Sequence, residues 1–166
     1  MTKNNRIATC LLIAVVTLAV ASAAAQTDAQ KAFAALKSLP GTWEGDTPMG
    51  PVKVTFKTTA GGSAVMSEIL GHEDMVTMFN LDGPNRLVMT HYCAAGNEPR
   101  MQASVSPDGK VITFTFIDAM NLATPDAAHM HRMVLTVVDE NHHTEEWTFT
   151  DHGKEHKELF DLHRKS

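Results

Sequence analysis

Val52, Val54 and Phe56 alternate with Lys53, Thr55 and Lys57. Successive side chains of a strand point to opposite faces, so this period of two marks a half-buried antiparallel strand. The pattern constrains the fold because it recurs along the chain between turn signals. Ala60-Gly61-Gly62 separates that strand from residues 63–70, and Gly71 to Glu73 leads into 74–81. Asp82-Gly83-Pro84-Asn85 precedes 86–93, and Pro107-Asp108-Gly109 precedes 111–117. With 42–46, 100–106, 129–138, 144–150 and 155–164, about ten strands are expected. Many short strands with tight turns and no intervening helices predict an all-β fold, a single antiparallel up-and-down β-barrel. Closure is expected over an open sandwich because it removes exposed edges. A barrel of eight or more strands has room for a small ligand. Two connections, 94–99 and 118–128, are longer than hairpins and are the expected binding loops.

The barrel is expected to occupy residues 41–166, preceded by a short helix and lead-in at 26–40. Thr27 or Asp28 can cap that helix, and Phe33 and Leu36 share one side of it. Residues 1–25 read as a secretory signal peptide. Lys3 and Arg6 are followed by an apolar run at 7–20 and by Ala21-Ser22-Ala23-Ala24-Ala25, with cleavage expected after Ala25. The apolar run is too short to span a bilayer, which takes about 20 residues. A secreted or periplasmic location follows, with no membrane insertion after cleavage. Without Lys3 and Arg6 the chain keeps 12 basic against 19 acidic residues. That balance argues against nucleic acid and anionic membranes as partners. Cys93 is then the sole cysteine, so no internal disulfide can form and stability must come from packing.

The residues able to carry chemistry gather at two strand ends. His91 and Cys93 are two apart, on the face that also carries Leu87 and Met89, while Tyr92 turns the other way. His129 and His131 extend the stripe Met133, Leu135 and Val137. If the two ends meet, His91, Cys93, His129 and His131 form a set of ligands suited to zinc or copper. A Cys93 nucleophile would need its base from His129 or His131, since strand neighbours two apart sit about 6–7 Å from each other. An inert thiol is the simpler reading of Cys93. Asn97 lies in the first long connection, Arg100 follows it, and Arg132 has Met130 and Val134 on its own face. The pair His142-His143 reads as a hairpin tip, and Glu155-His156-Lys157-Glu158 as a solvated strand start.

Leu39-Pro40-Gly41-Thr42-Trp43 after a short helix, with Leu162-His163-Arg164-Lys165 in the last strand, resembles the calycin superfamily of lipocalins and fatty-acid-binding proteins. The resemblance implies that Trp43 and Arg164 make a structural cation–π contact at the closed end. The chain is also similar to a family of small secreted bacterial lipocalin-like (calycin-type) proteins of unassigned function. That similarity is carried by Gly41-Thr42-Trp43-Glu44-Gly45, Met75-Val76-Thr77, Thr90-His91-Tyr92-Cys93, Gly96-Asn97, Pro99-Arg100-Met101 and His129-Met130-His131-Arg132. Nitrobindins, which are haem-binding barrels, share the Gly-x-Trp-x-Gly opening. A histidine early in their last strand holds the iron, and His156 is the nearest position here, although its spacing to Leu162 and Arg164 differs. Thr47-Pro48-Met49-Gly50 makes a turn where fatty-acid-binding proteins insert a helical lid. In related barrels an inward arginine pairs with a ligand carboxylate, a role Arg100 or Arg132 would fill. The expected function is binding of a small, largely apolar molecule in the barrel interior. Its polar end would be His91, Tyr92, Cys93, Asn97, Arg100, His129, His131 and Arg132. The alternative is a metal- or haem-binding barrel using the His/Cys cluster, with redox or isomerase activity.

Overall fold

The computed structural model describes residues 25–47, 49–71 and 73–165. The expected signal peptide lies outside the described residues except for Ala25. Helix α1 (Asp28–Leu36) opens with a capping box. Thr27 Oγ1 accepts from the Gln30 backbone N–H at 3.2 Å, and Gln30 Oε1 accepts from the Thr27 N–H at 2.9 Å. Ala29, Ala32, Phe33 and Leu36 form its buried side.

Ten strands follow. The first five are β1 (Gly41–Thr47), β2 (Gly50–Thr59), β3 (Ala64–Leu70), β4 (Met75–Leu81) and β5 (Leu87–Tyr92). The second five are β6 (Glu98–Val105), β7 (Val111–Met120), β8 (His129–Asp139), β9 (His142–Asp151) and β10 (Lys154–Arg164). Each strand pairs antiparallel with the next in sequence, and β1 closes the barrel on β10. The expected all-β, ten-strand up-and-down barrel with one short helix is therefore the observed fold. One local expectation is corrected: His142 and His143 are not a hairpin tip but the first residues of β9. The Asp139 carboxylate accepts from the Asn141 N–H at 2.8 Å, which tightens the turn enough for pairing to resume at His142.

Inward residues fill the lower barrel. Phe79, Leu87, Met89, Met101, Phe114 and Leu135 are all essentially inaccessible to solvent. Helix α1 covers this end: Thr27 donates to the Pro84 carbonyl in the β4–β5 turn, and Lys37 to Gly62 in the β2–β3 turn. Here Arg164 lies over Trp43, 4.2 Å from the ring centroid, which is the contact the calycin resemblance implies. The guanidinium also donates to the carbonyls of Ser38, Pro40 and Glu140. Trp43 Nε1 donates to the Leu39 carbonyl at 2.8 Å.

The β1–β10 seam is short, with Trp43 opposite Arg164 and Glu44 opposite His163. Gly45 lets the strands come this close. A Cβ at that position would lie 2.2 Å from the Asp161 carbonyl oxygen, a distance no side chain tolerates. The Gly-x-Trp-x-Gly opening thus has a physical reading. Gly41 takes a φ of +132°, Trp43 fills the closed end, and Gly45 admits the last strand.

Candidate functional site: the open mouth of the barrel

Three turns at the end opposite α1 surround a cavity of about 660 Å³. They supply Thr47, Met49 and Gly50, then Gly71, Glu73 and Met75, then Cys93, Ala94 and Ala95. Strand residues continue the wall inward: Val52 and Ile69 on one side, Met130, Phe149 and Phe160 on the other. Trp147 lies deeper, 3% exposed, and is held from below. Its indole N–H donates to Glu145 Oε2 at 2.9 Å, inside the barrel. Polar side chains on the wall are few. They are Thr47, Glu73, Cys93, His156, Lys157 and Glu158; on β10, His156 and Glu158 share the parity of the inward Phe160.

Beneath Trp147 the interior is polar as well as packed. His143 Nε2 lies 3.3 Å from Glu145 Oε1, and both side chains are sealed from solvent. The His143 ring meets the Trp43 ring edge-on, with centroids 4.3 Å apart. On the opposite wall, His91 Nδ1 is 2.8 Å from Thr77 Oγ1, and the His91 ring packs on Trp147 with centroids 4.8 Å apart. His91 Nε2 and His143 Nδ1 have no partner among the described residues. Burial holds the His91 pKa down at about 4, because a charged imidazole here would lose its hydration without gaining a counter-ion. Burial likewise pushes the Cys93 thiol up, and the nearby Glu73 carboxylate adds to the effect, outweighing a backbone hydrogen bond involving Ala95. A raised pKa disfavours the thiolate a nucleophile requires.

Of the eight expected site residues only Cys93 lines the cavity; Tyr92, Asn97, Arg100, His129, His131 and Arg132 lie elsewhere. His129 and His131 pack together on Phe116, with ring centroids 4.6 Å and 5.2 Å from it. His129 Nδ1 donates to the Ala127 carbonyl at 2.7 Å, so in a neutral ring its Nε2 accepts from His131 Nδ1 at 3.2 Å. A register shift between Met130 and Arg132 breaks the alternation that would align His129 and His131 with Met133. The same shift separates Arg132 from the face of Met130, and Arg132 is not on the cavity wall. Asn97 is buried and donates to the Ala128 carbonyl at 2.8 Å, tying the two long connections together. Tyr92 is exposed, and Arg100 pairs with Asp118 outside the barrel, its Nε 2.6 Å from Oδ1. Among the described residues, His91, Cys93, His129 and His131 do not bring three ligating atoms within 4.8 Å of one another.

Several cavity positions escape the sequence reading. Met75, Met130, Trp147, Phe149 and Phe160 wall the cavity. The parity of β9 carries a usable signal, since His143, Glu145, Trp147 and Phe149 share one face.

No protein-family model matches this chain, and no curated protein sequence matches it. Among solved structures it is similar to Rv2717c from M. tuberculosis. The TM-score is 0.54 and the identity 17%, over 81% of this chain and 98% of that one. At that identity the likeness is one of fold.

Proposed function

We propose that this chain is an extracytoplasmic, lipocalin-like barrel that binds a small, largely apolar molecule at its open mouth. The cavity of about 660 Å³ carries the reading. It falls in the range of roughly 300–1,000 Å³ common for small-molecule sites, which pair apolar walls with a few polar groups. Met49 stands exposed at the rim, and flexible methionines at Met75 and Met130 suit a wall that adapts to its contents. The interior is filled below Trp147, so the ligand occupies the upper barrel and reaches no deeper than the indole. His156, Glu158 and Cys93 are placed to meet its polar end. The leader-like residues 1–25 support export, and immunodetection in cell fractions tests that part.

The binding test uses the two tryptophans. In Trp43→Phe, Trp147 is the sole indole. A fluorescent fatty acid should quench it and be displaced by apolar competitors. An unaltered Trp147 signal across a full titration, with no ligand retained in native mass spectra, contradicts the reading.

A second reading has one observation in its favour: His156 lies on the cavity wall, close to the position where the nitrobindin resemblance implies an iron ligand. His156 is exposed at the rim opposite Phe149, with the Met130 thioether on the same cavity wall, an imidazole that an incoming haem would reach from solvent. Haem would supply iron chemistry at the mouth, where His156 would hold it, with Trp147 and Phe149 as the apolar wall beside it. Reconstitution with haemin should then produce a Soret band that His156→Ala abolishes. A band that survives the substitution removes His156 from that role.

A further inference from the structure

The outer wall of the barrel carries a second group of side chains, away from the mouth. On β10, Phe160 and Leu162 point into the core, so Asp161 and His163 point out. On β9, His143 points in and His142 out, directly opposite His163 in the strand register. The two imidazoles stack, with centroids 4.3 Å apart and planes 22° from parallel. Both present Nε2 to the same atom: His142 Nε2 lies 2.6 Å and His163 Nε2 3.7 Å from Asp161 Oδ1. All three ligating atoms lie within 4.8 Å of one another, a convergence no other set of three His, Cys, Asp or Glu reaches among the described residues.

From this convergence we infer that His142, Asp161 and His163 form a surface binding site for a divalent late first-row transition-metal ion, of which zinc is the probe of choice. Zinc bonds to imidazole nitrogen and carboxylate oxygen at about 2.0–2.2 Å, which places tetrahedral ligand atoms roughly 3.3 Å apart. The observed separations bracket that value, so small side-chain rotations centre the ion. Two imidazoles and one carboxylate select Zn²⁺, Cu²⁺, Ni²⁺ or Co²⁺ over Mg²⁺ and Ca²⁺, which demand oxygen ligands. Cuprous ion is disfavoured, since no sulfur belongs to the set. Three protein ligands on an open wall leave a coordination position for water or an external group.

The surroundings favour a cation. Asp161 and His163 border a surface depression that also contains Glu44 and Asp46, with Lys53 as its cation. Glu44 faces His163 across the seam and is bonded to Lys165 at 2.5 Å. An ion bound here clamps the β9–β10 hairpin beside the short β1–β10 seam. Binding should therefore stabilise the closed barrel, because the unfolded chain does not hold the three ligands together.

The experiment uses the protein free of any polyhistidine tag and stripped with chelator. Zn²⁺ binding is followed by calorimetry, and Co²⁺ by its visible d–d absorption. The wild type should bind one equivalent of each and ignore Mg²⁺. Asp161→Asn and His163→Gln should each weaken binding by at least about tenfold. His152→Gln, which removes an exposed histidine paired with Asp151 at the β9–β10 turn, should leave binding unchanged. Saturating Zn²⁺ should raise the wild-type Tm by about 5–10 °C and leave the two site variants unmoved. The metal-free Tm values of the variants verify that they fold. Equal zinc affinity in wild type, Asp161→Asn and His163→Gln overturns the site, since the ion then sits on other histidines. Absence of wild-type binding into the millimolar range overturns it as well.

Discussion

Acid should destabilise this barrel through one buried histidine. His91 is inaccessible to solvent, one nitrogen faces Thr77 Oγ1, the other has no partner, and its ring packs on Trp147. Burial lowers its pKa from 6.5 to about 4, so the folded protein keeps the ring neutral where the unfolded chain takes up a proton. Below the unfolded value the unfolded state binds more protons, and stability falls as pH falls. The loss begins near pH 6.5, grows through the interval to about pH 4, and levels off below it. That interval corresponds to about 3 kcal/mol, a large share of the 5–15 kcal/mol typical of a domain. The assay is urea unfolding by far-UV circular dichroism at several pH values, for wild type and His91→Gln. Glutamine does not titrate and keeps a polar group beside Thr77. Its own destabilisation is constant with pH, and the titration of surface carboxylates is common to both proteins. Between about pH 7 and pH 4 the wild type should lose about 3 kcal/mol more than the variant. Parallel stability curves, or an NMR titration placing His91 at its ordinary value, would refute the reasoning.

Four other outcomes are expected. Glu145→Ala removes the acceptor of the Trp147 indole and the neighbour of His143 inside the sealed barrel, and should cost about 3–5 kcal/mol in urea unfolding; a loss below about 1 kcal/mol contradicts that. Gly45→Ala forces a Cβ onto the Asp161 carbonyl at the seam, and should lower stability by at least about 2 kcal/mol, whereas Gly109→Ala meets no atom and carries only its own backbone strain of about 1–2 kcal/mol. Met75→Trp places an indole in the mouth, and should reduce affinity for apolar probes at least about tenfold with little change in Tm, checked by fluorescence titration and calorimetry. Cys93 should react with a maleimide at neutral pH more slowly than a free thiol, and more slowly still with an apolar probe bound; labelling faster than free cysteine contradicts the raised pKa.

The strands were legible because most of their inward positions are apolar and many of their turns carry glycine, proline or asparagine. Val52, Val54 and Phe56 illustrate this: alternation alone assigns them to the core, where they lie. The long connections 94–99 and 118–128 do sit at the open end, joined by the bond from Asn97 to Ala128. The buried polar layer was harder to see. Glu145 and His143 share their parity with Trp147, but charged residues favour water unless a partner is supplied, and the partners come from the same strand. The register shift beside His131 had no sequence signal, since a bulge depends on how β8 meets β9. The cavity wall is assembled from three turns and several strands distant in sequence. Among its polar members the sequence marked Cys93 as a site candidate and His156 only as the nearest nitrobindin-like position, within a run read as a solvated strand start.

Methionine methyl NMR tests the mouth-binding claim most directly. Six side chains divide cleanly, with Met49, Met75 and Met130 at the cavity and Met89, Met101 and Met133 sealed in the lower core, while Met66, Met78 and Met120 belong to neither group. With methyl-labelled methionines, an apolar ligand such as a medium-chain fatty acid is added stepwise. Saturable shifts at Met49, Met75 and Met130, with Met89, Met101 and Met133 little changed, are the predicted result. Shifts confined to the lower-core group, or no saturable shift at any of the six, would contradict ligand binding at the open mouth.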